Sequence, residues 1–376
     1  MPIRISHQFD SGAIDLVRAE HPADIELRLR SDNAADFSQW FHFRLQGARN
    51  QQCTMRIVNA GGSSYPDGWR GYQAVASYDR EHWFRVPTSF DGQTLTIAHL
   101  PERDSVYYAY FEPYSWERHL ALLGRAERSD LVRIEDLGAT VDGRDMNLVV
   151  VGNPDAARKI WVIARQHPGE TMAEWFVEGM LEALLDAANP HARKLLQRAV
   201  FYIVPNMNPD GSIRGNLRTN AVGANLNREW MAPSLESSPE VFHVRRRLHE
   251  TGCDLFLDVH GDEGLPYVFV AGSEMLEGFT EQQRVEQQAF VDAFKTASPD
   301  FQDEHGYPSG KYREEILKLA SKYVGHHFKC VSLTLEMPFK DNAQLPAPDV
   351  GWDGRRSARL GAAALQAMWE AVKGKD

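Results

Sequence analysis

The stretch KIWVIARQHPGETMAEWFVEGMLEALLDAA, Lys159–Ala188, decides the fold of most of the chain. It opens with a near-continuous apolar run, Lys159–Arg165, of strand length. It closes with an amphipathic helical pattern over Thr171–Ala188. A fully apolar strand feeding a helix is the unit of a sheet covered on both faces. The alternation continues downstream. Strands are predicted at Met146–Gly152, Ala199–Asn206, Asp254–Gly261 and Cys330–Pro338, and helices at Ser238–Gly252, Glu281–Ala297 and Ser357–Lys373. Another helix is predicted in PYSWERHLALLGRAERS, with Leu120, Leu122 and Leu123 on one side.

Residues 1–112 read differently. Short runs of period two recur at Ile25–Arg30, Trp40–Gly47, Cys53–Ala60, Thr94–Leu100 and Ser105–Pro113, separated by clusters such as NAGGSSYPDG. That pattern predicts a small all-β sandwich, a structural or substrate-shaping module, ahead of an α/β domain at 113–376. The 376 residues carry a net charge of −11, which argues against nucleic acid and anionic membranes as partners. Three cysteines without a CxxC pair fit a reducing compartment and no disulfide framework. No apolar export segment or run of 18 apolar residues is present, so a cytoplasmic location is expected. The composition is silent on oligomeric state.

Ligand sites in such sheets form at the carboxyl ends of strands. Four polar clusters stand at predicted strand ends: HPGE, NMNPDG, HGDEG and the glutamate of TLEMP. Zinc takes imidazole nitrogen and carboxylate oxygen, and a catalytic zinc keeps three protein ligands. His167, Glu170 and His260 offer that set for one zinc ion, with Pro168-Gly169 expected to turn the chain so that both ends of HPGE reach one point. The HExxH pattern of helical zinc proteases is absent. Glu336 ends an apolar strand, where an unused carboxylate is costly. It is read as general base for a water activated by the zinc. The polar segment Asn208–Trp230 is too long for a plain connection and offers Arg214, Arg218 and Arg228. Arginine suits a planar carboxylate or a developing oxyanion, and Arg214 is assigned as a solvated loop charge.

HPGE, NPDG, LRTNAVGANLNREW, DVHG and TLEMPF, in this order, resemble the zinc metallocarboxypeptidases of the funnelin (M14) type. The front domain containing FSQWFHFRLQG is similar to that of the cytosolic carboxypeptidase subfamily. The resemblance implies an α/β/α catalytic domain around a mixed eight-stranded sheet, preceded by a β-sandwich. It implies hydrolysis at the C-termini of peptides or proteins, glutamate among the residues released. His167, Glu170 and His260 match the zinc ligands, Arg218 the residue that polarises the scissile carbonyl, and Asn227 with Arg228 the grip on the terminal carboxylate. Glu336 matches the base. The family's mobile-loop tyrosine has Tyr307, Tyr312 and Tyr323 as candidates here, with Tyr312 favoured by its distance to Glu336. Where the subfamily carries a GTGR-like stretch that favours acidic side chains, this chain has LASK, with Lys322 in that role. A competing reading is a zinc amidohydrolase of N-acyl amino acids, like succinylglutamate desuccinylase and aspartoacylase, a group without this front sandwich.

Overall fold

The computed structural model describes residues 2–308 and 313–374, without the side chains of 313–315. Ten strands come first: β1 (Arg4–Ser6), β2 (Asp15–His21), β3 (Asp24–Arg28), β4 (His42–Gln46), β5 (Cys53–Ile57), β6 (Val75–Ser77), β7 (Trp83–Arg85), β8 (Thr88–Phe90), β9 (Leu95–His99) and β10 (Ser105–Ala109). They form two five-stranded sheets, ordered β1-β4-β10-β6-β7 and β2-β3-β5-β9-β8. Alternation dictates the packing: in β5, Cys53, Met55 and Ile57 are buried while Thr54 and Arg56 are not. Each of the five runs read from the sequence overlaps a strand. The reading passed over β2, whose residues DLVRAEH are nearly all exposed, so this sheet-edge strand shows no apolar alternation.

The remainder contains β11 (Val132–Ala139), β12 (Asp145–Val151), β13 (Arg158–Ala164), β14 (Ala199–Val204), β15 (Leu255–Asp262), β16 (Phe269–Ala271) and β17 (Val331–Pro338). Its helices are α1 (Trp116–Ala126), α2 (Met172–Leu185), α3 (Pro190–Leu196), α4 (Pro209–Arg214), α5 (Pro239–Thr251), α6 (Glu281–Ala297), α7 (Ala320–Phe328) and α8 (Gly354–Val372). The sheet order is β11-β12-β14-β13-β15-β17-β16. Its centre, β14-β13-β15-β17, is parallel, and β11, β12 and β16 pair antiparallel, so the sheet is mixed as expected. Alternate residues of β13 enter two cores: Ile160 and Val162 pack with Phe176 and Leu365, and Trp161 and Ile163 with Val244 and Tyr323.

Seven strands are present among the described residues, against the eight implied by resemblance. Phe301 makes a single parallel bridge with Val268 beside β16. The chain then turns away, because the Gln302 side chain accepts from the amides of Glu304 and His305 and donates to the carbonyl of His305. Helix α1 also differs in its buried face. Leu120 is exposed, and His119 takes the inward place beside Leu122 and Leu123, which the 100° step of a helix requires.

Candidate active site

The ends of β13, β15 and β17 deliver the site. Arg165 follows the last residue of β13 and adopts φ +59°, a left-handed conformation costly for arginine. It is held there by its own side chain. Nε donates to the Pro168 carbonyl at 2.9 Å, and Nη1 to the Tyr114 carbonyl and Glu174 Oε2, each at 2.8 Å. The turn expected at Pro168-Gly169 is thus set at Arg165. Gly169 serves close approach instead, since a Cβ there would lie 3.0 Å from the Leu217 carbonyl oxygen.

Beyond this turn, His167 and Glu170 meet His260 from β15. His167 Nδ1 lies 2.7 Å from Glu170 Oε1, and His260 Nδ1 lies 2.8 Å from Glu170 Oε2. The ligand atoms of the three residues all fall within 4.8 Å of one another. The far nitrogens are occupied elsewhere. His167 Nε2 faces Asn225 Oδ1 at 3.1 Å, and His260 Nε2 faces Asp258 Oδ2 at 2.9 Å. Asp258 is in turn held by Gln166 Nε2 at 2.8 Å, and Gln166 Oε1 accepts from Trp230 Nε1. Outer partners of this kind fix which imidazole nitrogen turns inward and orient it for a metal.

Burial and the nearby Arg218 guanidinium push His167 down to about 3, leaving it a neutral imidazole. Burial also opposes a charge on His260, but Asp258 and Glu170 flank it and raise it well above the ordinary histidine value. The same two imidazoles overcome the burial of Glu170 and hold its carboxyl below the usual range. The proton on His260 therefore sits where a cation would be welcome. Two imidazoles and one carboxylate, buried and with one side on the cleft, suit a tetrahedral zinc ion with an open position.

A cleft of about 510 Å³ unites the other predicted residues, with Arg218, Asn227, Arg228, Lys322 and Glu336 on its walls beside the three ligand candidates. Arg218 Nη1 stands 3.8 Å from Glu170 Oε1. Asn227 Oδ1 accepts from the Ala320 amide at 2.8 Å, which ties the NLNREW segment to α7. Arg228 Nη1 donates to the Asn227 carbonyl at 2.7 Å. Burial pushes Glu336 up to about 8, with Glu170 and Asp262 adding to the rise against His260, and its Oε2 has no hydrogen-bond partner. Lys322 Nζ donates to the carbonyls of Ala271 and Gly272, and burial lowers it to about 8. Arg214 lies apart, paired with Asp142 through Nε at 3.0 Å and Nη2 at 2.9 Å.

Among the tyrosines, Tyr312 lies outside the described residues. Tyr323 faces away on α7, with its hydroxyl 2.8 Å from His249 Nε2. Tyr307 lines the cleft, its hydroxyl 2.7 Å from Asp262 Oδ2 and 2.8 Å from Glu336 Oε1. Sequence reading had weighed Tyr307 but favoured Tyr312. It passed over Asp258 entirely, although a usable signal was there: in DVH, residues two apart on a strand share a face, so Asp258 had to stand beside His260.

Residues 5–111 match the model of the cytosolic carboxypeptidase N-terminal domain, and residues 118–350 match that of the zinc carboxypeptidases. A metallo-carboxypeptidase from Burkholderia cenocepacia superposes with a TM-score of 0.97 at 61% identity, covering 99% of both chains. A metallo-carboxypeptidase from Pseudomonas aeruginosa, solved in complex with (2-guanidinoethylmercapto)succinic acid, superposes with a TM-score of 0.94 at 46% identity, covering 97% of this chain and 98% of that one. Human cytosolic carboxypeptidase 1 is 28% identical over 73% of this chain, which spans 26% of the human protein's length. No helix among the described residues is long and apolar enough to cross a membrane. With both domain models matched in order, the chain belongs to the zinc carboxypeptidases and is a metallocarboxypeptidase carrying a cytosolic carboxypeptidase N-terminal domain.

Proposed function

We propose that the enzyme releases the last residue of peptides or proteins, glutamate among them, in the cleft between His260 and Lys322. The supporting observation is the gathering of His167, Glu170, His260, Arg218, Asn227, Arg228 and Glu336 on one cleft. Zinc held by the first three supplies Lewis acidity, polarising a carbonyl and lowering the pKa of water.

The residues divide the remaining tasks by chemistry. Arg228 and Asn227 bind the free terminal carboxylate, arginine by its paired donors. A clamp of this kind restricts cleavage to chain ends. Arg218 points its guanidinium at the oxygen that gains charge in the transition state, where a donor counts most. Glu336, which lines the cleft and has an unpartnered Oε2, accepts a proton from the attacking water and passes it to the leaving amine. Tyr307 holds the other oxygen of that carboxyl and so fixes its direction. Lys322 stands at the cleft wall as a point charge for an acidic terminal side chain. The ligand of the Pseudomonas complex, (2-guanidinoethylmercapto)succinic acid, carries two carboxylates and a guanidinium, which supports a site for a terminal carboxylate without favouring an acidic side chain. The match of residues 5–111 to a cytosolic carboxypeptidase domain weighs against the N-acyl amidohydrolase reading.

The test uses zinc-loaded protein and peptides that differ only in the last residue, Glu, Lys or Phe, each as free acid and as C-terminal amide. Free amino acid is expected from the acids and none from the amides. No release from any free-acid peptide would overturn the proposal.

A further inference from the structure

Arg218 lies in the α/β domain, yet much of what surrounds it comes from the sandwich. Leaving β3, the segment from Arg30 to Ala34 runs along the loop 214–223. Arg30 Nη2 donates to the Arg214 carbonyl at 2.6 Å, and Asn216 Nδ2 donates to Asn33 Oδ1 at 2.6 Å. The two backbones touch at Gly223, where φ is +84° and a Cβ would stand 2.2 Å from the Ala34 carbonyl oxygen.

Between these contacts sits Asp32, 6% exposed. Its Oδ1 accepts from the Leu217 amide at 2.5 Å, and its Oδ2 from the amides of Arg218 at 2.8 Å and Thr219 at 2.9 Å. Thr219 Oγ1 adds a fourth bond at 3.0 Å. Three consecutive amides aimed at one carboxylate fix the backbone direction of the loop. The side chain is bracketed as well, with the Arg218 guanidinium carbon 5.9 Å from the Phe37 ring and 5.5 Å from the Tyr65 ring. Phe37 and Tyr65 both belong to the sandwich.

Gross attachment of the sandwich does not need Asp32. Tyr110 stacks on Phe339 with centroids 4.5 Å apart, and Asp10 Oδ2 accepts from the Trp116 amide at 2.6 Å. A buried carboxylate spent on the three amides centred on Arg218 points to a more local purpose.

We propose that Asp32 is a positioning residue for Arg218, and that through it the N-terminal sandwich completes the active site. The inference rests on the reading of Arg218 as the donor to the developing oxyanion. Displacing such a donor by about 1 Å costs on the order of 100-fold in rate. It costs little in substrate affinity, because the bond forms in the transition state.

The test is a double-mutant cycle on the full zinc-loaded chain. Variants Asp32→Ala, Arg218→Ala and the pair are compared for kcat, KM, zinc per chain and melting temperature. For folded Asp32→Ala with its zinc, kcat is expected to fall roughly 100-fold with KM within about threefold. In the Arg218→Ala background, Asp32→Ala is expected to change kcat less than about threefold, since coupled residues are not additive. A merely structural role would lower the melting temperature and leave kcat per folded molecule unchanged, which overturns the proposal. Equal losses in both backgrounds overturn it too. A slow Arg218→Ala beside a normal Asp32→Ala sinks this inference alone, whereas full kcat in Arg218→Ala sinks the underlying reading with it. Should the alanine variant fail to fold, Asp32→Asn takes its place in the cycle, as its amide keeps the volume but sets a donor against the loop amides.

Discussion

Replacing Arg165 by methionine tests whether the turn feeding the metal-ligand pair is held by a buried ion pair. Arg165 and Glu174 are almost wholly buried and meet at 2.8 Å. Removing one partner of such a pair costs about 3–5 kcal/mol. Glu174 keeps His119 Nδ1 at 2.6 Å and Asn206 Nδ2 at 3.2 Å, which places the loss near the low end of that range. The carbonyls of Pro168 and Tyr114 lose their donors, adding about 1 kcal/mol each. The intrinsic cost of a left-handed backbone is similar for arginine and methionine and drops out of the sum. The sum is about 5 kcal/mol, a large share of a domain's stability. Urea unfolding of the EDTA-treated protein reads it without the contribution of metal binding. Because the same guanidinium sets the path to His167 and Glu170, zinc affinity should also fall about 10- to 100-fold, the usual effect of losing an outer support. A loss under about 1 kcal/mol with unchanged zinc affinity would refute the claim that Arg165 shapes the site.

Two further outcomes follow from the cleft. Glu336→Gln should lower kcat by about 10²- to 10⁴-fold with KM near that of the wild type, as expected on removing a general base; steady-state assays on one free-acid peptide check this, and unchanged kcat would dismiss Glu336 as base. Lys322 is lowered to about 8, so it is charged below that pH and neutral above it. The ratio of kcat/KM for Glu-ending over Phe-ending peptides should therefore decline as pH rises through about 8, and Lys322→Ala should show a low ratio at all pH values. A ratio independent of both pH and the mutation would remove Lys322 from substrate choice.

The strand-end motifs were legible because strand periodicity fixes where apolar runs stop, and chemistry-bearing residues stand at those stops. His167, Glu170, His260 and Glu336 needed no three-dimensional information beyond that rule. Supports that depend on sequence-distant contact were not legible. Asp32 reaches Leu217 across 185 positions, and nothing local in LRSDNAAD announces the partner. The turn at Arg165 was assigned to glycine because a left-handed arginine defies local preference, and only the buried Glu174 makes it tenable. The eighth strand shrank to one bridge for a similar reason, since the Gln302 side chain captures the amides that a strand would need.

The charge of the cleft adds its own argument about the metal. Glu170, Asp262, Glu263 and Glu336 line it against Arg218, Arg228 and Lys322, with Asp258 just behind His260. A buried excess of carboxylate is unfavourable unless protons or cations offset it. Burial, together with neighbouring acids, raises both Glu263 and Glu336, so each tends to keep a proton. Each also has a buried oxygen with no hydrogen-bond partner. A divalent ion between His167, Glu170 and His260 would draw these carboxyls back toward the charged form, as bound cations invert local acid strengths. On the proposed reading the ion would have two physical tasks, polarising the substrate and freeing Glu336 to accept a proton. Its removal is expected to abolish activity in EDTA, with zinc restoring it, and full turnover by the metal-free protein would contradict both tasks.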